Sequence, residues 1–260
     1  MPRLASLTNS GLTGARLSYR VSPSGTFKVL IATQDTSTWA NNVATNLATA
    51  ATKYPGISLN LTTTGGLSTL PTVTVGQYDA ILFWPDGSLN WNTSFETHNA
   101  NNGGLVVTGL FNSVNLAGPT PIPSTLMPVV GGTGGQIYGV TLDSSVRPYG
   151  HPIGDGFNGT TQQVTSFSAT GAPNNGNLSG QFGSGFGTVN AGATSVLPTT
   201  QGANFGIAYV KNNTAPTGRT VFLNYLPVSS TAFSPSWNMS TYPDGALILL
   251  NALLWSARKL

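Results

Sequence analysis

Apolar positions along the chain follow two alternating periods. FKVLIAT (Phe27–Thr33) is a continuous apolar run of strand length, the kind buried on both faces of a parallel sheet. After a polar turn, TWANNVATNLATAATKY sets Trp39, Val43, Leu47 and Ala51 four residues apart, which predicts a helix behind a Ser/Thr-rich cap region. Gly56 ends that helix, and ISLNL (Ile57–Leu61) predicts a second strand. YDAILFW (Tyr78–Trp84) predicts a third strand, a weaker pattern from about Ser88 to Asn101 a helix, and GLVVTGL (Gly104–Leu110) a fourth strand. Strand, helix, strand with short connections implies right-handed parallel crossovers. The fold expected is α/β: a doubly wound, mostly parallel sheet with helices on both faces.

The ends of the chain behave differently. Residues 1–26 hold turn formers and scattered apolar residues without a period, which predicts an extended N-terminal arm. From about 112 to 192 the pattern dissolves into an irregular insertion, and GAPNNGNLSGQFGSGFGTVNAG is nearly low complexity. Phe182 and Phe186 within it favour an ordered glycine-rich loop over a free linker. Strand-like runs return in ATSVLP, FGIAYVK and TVFLNYL. The closing DGALILLNALLWSARK predicts a helix from Asp244 with Leu247, Leu250, Leu254 and Trp255 on its apolar face. Arg258 and Lys259 lie favourably at its negative end. There is no internal repeat, so residues 27–260 are expected to form a single domain.

Composition narrows the function classes. Of 260 residues, 39% are hydrophobic but only 7% charged, against about 25% in an ordinary domain. Glycine (32 residues), Asn, Ser and Thr take the place of charge, which excludes charge-driven disorder and a coiled coil. The formal charge of +3 is concentrated at the ends, in Arg3, Arg16, Arg20, Arg258 and Lys259. No basic stripe can follow a phosphate backbone, so no nucleic acid is expected. No run of about eighteen apolar residues predicts a membrane span, and the N-terminus lacks the apolar stretch of a signal peptide. Cysteine is absent, which excludes disulfides, thiolate metal sites and cysteine nucleophiles.

Six strings in order carry a family resemblance: KVLIATQDTSTWA, YDAILFWPDG, GGLVVTGLF, GHPIGDGF, GRTVFLNYLP and DGALILLNALLWSA. Over about residues 27–260 the chain resembles the class I glutamine-amidotransferase-like superfamily, and within it the ThuA-like branch. The resemblance implies a flavodoxin-like sandwich. It also implies that the catalytic residues are not retained. The family's nucleophile, or the ThuA-like histidine, falls at Phe111, and its His-Pro pair at Leu226-Pro227. A phenyl ring and an isobutyl group neither attack a carbonyl nor shuttle a proton. Phe111 is expected to pack just past the fourth strand and close the pocket.

In an open α/β sheet, ligands bind beyond the carboxyl ends of the strands. The candidate cleft residues are therefore Asp35 and Thr36, Trp84 and Asp86, and Thr108 and Phe111, with His151 and Asp155 added from the resemblance. Asp and Thr after a strand also cap helices, Trp84-Pro85-Asp86-Gly87 is an ordinary turn sequence, and His151 can bond within its own loop. His98 is expected on a solvated face. GGTGGQ (Gly131–Gln136) and GSGFG (Gly183–Gly187) lack the Lys-Ser/Thr of a phosphate loop and read as turns. No metal site and no cofactor are expected.

Two functions follow. In the first, the chain is a non-catalytic structural or binding protein, a virion component of the phage tail, baseplate or capsid-surface kind, assembled through its arm with copies of itself and other assembly proteins. Its place is then the virion or another extracellular surface assembly. In the second, it is a ThuA-like carbohydrate-active enzyme or glycan-binding protein. There Trp84, Trp91 and Phe111 stack on sugar rings, and Asp35 and Asp86 accept from hydroxyls.

Overall fold

Apolar runs without alternation can bury both faces, so they take the middle of the sheet. The computed structural model describes residues 22–84, 91–108, 122–129, 140–157, 161–169, 189–200, 202–212, 218–225, 227 and 244–260. Its strands are β1 (Gly25–Thr33), β2 (Ile57–Thr64), β3 (Ala80–Trp84), β4 (Gly104–Thr108), β5 (Val140–Thr141), β6 (Ser168–Ala169), β7 (Ala193–Ser195), β8 (Pro198–Thr199), β9 (Gly202–Gly206), β10 (Ala208–Asn212) and β11 (Arg219–Leu223). The helices are α1 (Ser37–Ala51), α2 (Thr93–Ala100), α3 (Pro152–Asp155) and α4 (Asp244–Ser256). Seven strands form one sheet in the order β2-β1-β3-β4-β11-β10-β7. The first five run parallel; β10 is antiparallel to β11 and to β7. This is an α/β, flavodoxin-like fold. Every residue of β3 and β4 is buried.

Alternation sorts the side chains between two faces. A Cβ on Gly104 would lie 2.3 Å from the Ser256 hydroxyl, so this register position faces α4. Ala80 is in register with Gly104; Leu82 and Trp84 share its parity and face α4 with it. Phe83 points to the opposite face, where its ring meets Trp91 and Phe95 at centroid distances of 6.2 and 6.4 Å. α1 and α4 pack against each other as well as against the sheet.

Four local expectations are corrected. β1 begins at Gly25, inside the predicted arm, because Gly25 and Thr26 extend the parallel ladder onto Ile57 and Ser58. The described part of the helix predicted from Ser88 starts at Thr93, where the Asn92 side chain accepts from Ser94 N–H as its cap. ATSVLP and FGIAYVK each divide: β7 and β10 stay in the large sheet, while β8 and β9 form a separate pair. Finally, α4 has no solvent face, since all thirteen residues are buried. The sheet and α1 cover two sides, and residues 151–157 and 161–167 cover more through Asn251, whose side-chain amide donates to the carbonyls of Ile153 and Gln162 (3.1 and 3.2 Å). That asparagine also accepts from the Tyr54 hydroxyl. The predicted insertion thus supplies part of the core's cover, with Ile153, Val164 and Phe167 buried.

Candidate functional site

The chain leaves β1 toward β2 on one side and later returns as β3 on the other, so the topological switch point lies between the carboxyl ends of β1 and β3. The two candidates nearest that point meet there. Asp35 follows β1, and its carboxylate accepts the indole N–H of Trp84, the last residue of β3, at 2.6 Å. Asp35 is held from both sides: its N–H donates to Thr33 Oγ1 at 3.0 Å, and its carbonyl accepts from Gly66 N–H. Gly65 is required here by close approach, because a Cβ would lie 2.6 Å from Ser37 N at the start of α1. Trp84 is 0% exposed. At the end of β3, beside the switch point, Trp84 is buried with its one polar atom paired to Asp35.

Thr36 is the N-terminal cap of α1 by backbone position, with no side-chain bond into the helix. Its carbonyl accepts from Trp39 and Ala40. Thr108 ends β4 and is fully buried with its hydroxyl unpaired. Beside it, beyond the end of β11, Asn224 is buried with an unpaired side-chain oxygen, while its amide reaches Gly206 O at a long 3.4 Å. Buried unpaired polar atoms each cost about 1–3 kcal/mol, so this is a polar weak point at the sheet's carboxyl edge. Asn224 escaped the sequence reading because it sits inside an apolar string, TVFLNYL; an amide in such a run was the available signal.

His151 and Asp155 do not join the switch-point pair. His151 caps α3, its Nδ1 accepting Ile153 N–H at 3.2 Å. Its ring packs 5.0 Å from that of Trp255, near the end of α4. Trp255 in turn carries the Arg219 guanidinium at 4.6 Å and accepts from it through its carbonyl, at the amino end of β11. Asp155 accepts from the N–H groups of Tyr149 and Gly150 and from Gln163, which closes its own loop. Asp86 and Phe111 lie outside the described residues, as do both glycine clusters.

His98 is buried at 2% exposure, against the solvated face expected for it. α2 turns the ring under the start of β4, with Nε2 3.3 Å from Gly104 O. Gly103 is glycine because a Cβ there would sit 2.2 Å from that ring. Burial lowers the His98 pKa from its ordinary 6.5, partly opposed by the Gly104 carbonyl and Asp79. Asp244 is set differently: burial alone would raise its pKa, but N–H bonds from Thr165 and Ser166, the Thr165 hydroxyl and Lys53 outweigh that and hold it below 3.8. Both folded-state values lie below the unfolded ones, so both contributions to stability are complete above the unfolded pKa and are lost as pH falls through the folded pKa. Urea midpoints measured across pH should therefore fall in two stages, one starting below about 6.5 and one below about 3.8. His98→Gln should remove the first stage and leave the second.

Among the described residues no three His, Asp or Glu side chains gather at metal-binding range, and no helix is long and apolar enough to cross a membrane. Similar proteins are found among solved structures. The chain matches a protein described as ThuA-like from Parabacteroides merdae ATCC 43184 with a TM-score of 0.50 and 10% identity over 90% of each chain. The fold is ThuA-like. Another ThuA-like structure, from Bacteroides uniformis ATCC 8492, matches with a TM-score of 0.48 and 20% identity, over 94% of this chain and 95% of that one. No family model and no curated protein matches the sequence. At these identities the likeness is one of fold. On this ThuA-like frame the carboxyl-edge position nearest the switch point holds the Asp35 carboxylate accepting from the buried Trp84 indole.

Proposed function

We propose that the chain is a non-catalytic structural or binding protein on a ThuA-like fold, a surface component of a virus particle that assembles with copies of itself and with other particle proteins through its N-terminal arm. The observation that carries this reading is the Trp84–Asp35 pair. Where doubly wound folds seat a ligand, this chain buries an indole and spends the neighbouring carboxylate on it. The composition supports the assembly half: 7% charge leaves a surface of neutral Asn, Ser and Thr side chains. The carbohydrate reading is less well supported, because a stacked sugar needs an exposed ring face. Trp84 is buried, and Trp91 is buried against Phe95 in an edge-to-face contact at 5.5 Å.

Light scattering on the full-length chain over a range of concentrations tests the proposal. The expected result is a species heavier than the 26.8 kDa monomer, reduced when residues 1–21, which precede β1, are deleted. A strictly monomeric full-length chain would overturn the assembly reading. Binding on a glycan array that disappears in Asp35→Ala would move the function to the carbohydrate alternative.

A further inference from the structure

We propose that the outer edge of β2 is a self-association surface, pairing antiparallel with β2 of a second copy about a two-fold axis and joining two sheets into one. This rests on the assembly reading above and names a surface for it. β2 ends the seven-stranded sheet, and among the described residues it pairs with β1 alone, through eight residue pairs without a bulge. One row of its backbone N–H and C=O groups therefore faces outward in β geometry, a template that another strand satisfies best. Natural edge strands are protected by lysine, proline, bulges or brevity. The opposite edge has that protection, since β7 is three residues long. ISLNLTTT, at eight residues, has none of these devices.

The side chains point to the same partner. Ile57, Leu59 and Leu61 are only partly buried, while Ser58, Asn60 and Thr62 on the other face are exposed. Ile57 and Leu59 border a groove of about 310 Å³ whose other wall is Ala48, Ala51, Tyr54 and Pro55. The alanines allow a close approach along α1. Antiparallel pairing of two β2 strands would set the two apolar rows side by side and cover both.

The absence of charge on this flank suits a second copy as the occupant. A two-fold axis places each surface patch against itself, so any net charge there repels. α1 contains no charged residue, and none occurs between Lys53 and Asp79. Lys53 itself is turned onto Asp244 at 3.3 Å. The α1–β2 flank is neutral, so a two-fold contact of this flank with its own copy meets no like-charge repulsion.

The chain has no cysteine, so single-cysteine variants of the full-length protein report contacts without ambiguity. Asn60 lies mid-strand, close to the proposed axis. Asn60→Cys is expected to give a disulfide-linked dimer under mild oxidation, and Ser68→Cys, exposed in the loop after β2, is expected to give none. The Ser58→Lys/Asn60→Lys variant places like charges across the axis and should weaken self-association by about tenfold or more, with an unchanged circular dichroism spectrum. Self-association unchanged in the lysine variant, with no Asn60→Cys cross-link, overturns the β2 interface while leaving assembly through the arm intact. A full-length chain that is monomeric at every concentration overturns both. If the lysine variant misfolds, the cysteine pair alone decides.

Discussion

Asn251→Leu is expected to lower the unfolding free energy by about 3–5 kcal/mol, although it puts an apolar side chain into the most apolar helix of the chain. The asparagine is fully buried, accepts from the Tyr54 hydroxyl and donates to the carbonyls of Ile153 and Gln162. Leucine removes all three bonds from a buried site, at about 1–3 kcal/mol each, with less than full additivity because they share one site. At this chain length that corresponds to a fall in melting temperature of roughly 10 °C. Tyr54→Phe removes the hydroxyl's bonds with Asn251 and the Phe157 backbone but keeps the Asn251 bonds to Ile153 and Gln162, and should cost about half as much. Urea denaturation of both variants measures the difference. A loss below about 1 kcal/mol for Asn251→Leu would mean that residues 151–157 and 161–167 do not depend on this residue to cover α4.

Trp84→Ala should destabilise by about 3–5 kcal/mol, the usual cost of deleting a buried aromatic ring. It should also free the Asp35 carboxylate and open a hole beside the switch point. Added indole should then raise the variant's melting temperature and leave the wild type unaffected, because a ligand bound only by the folded state stabilises it. Trp84→Phe should fall between the two, keeping most of the ring volume while removing the donor to Asp35. If Trp84→Ala melted like the wild type, the indole would not be part of the core and the argument for a buried indole beside the switch point would fail.

The two variants mark where local pattern was enough and where it was not. A parallel strand buried on both faces needs an unbroken apolar run, so FKVLIAT, AILFW and GLVVT announced themselves. Trp84 and Asp35 could each be placed beyond or at the end of a strand by counting. Their engagement with one another could not, since they stand 49 residues apart. His98 read as a solvated residue because nothing in THNANNGG shows that the turn folds Gly103 directly against the ring. In α1 the spacing of four was legible, but the buried stripe is Ala40, Val43, Leu47 and Ala50 rather than the larger Trp39.

By itself the sequence determined the order and kind of the main elements, the parallel sense of the sheet, and the loss of thiol chemistry. These depend on period, run length and residue identity, which are local. The tertiary structure alone decided that α4 is buried on every side and that Asn251 holds a distant segment over it. It also decided that His151 and Asp155 serve their own loop, and that an indole and a carboxylate pair beside the switch point. Apart from the short-range loop bonds of His151 and Asp155, each of these is a contact between residues far apart in the chain, and its energy depends on which groups the fold deprives of water.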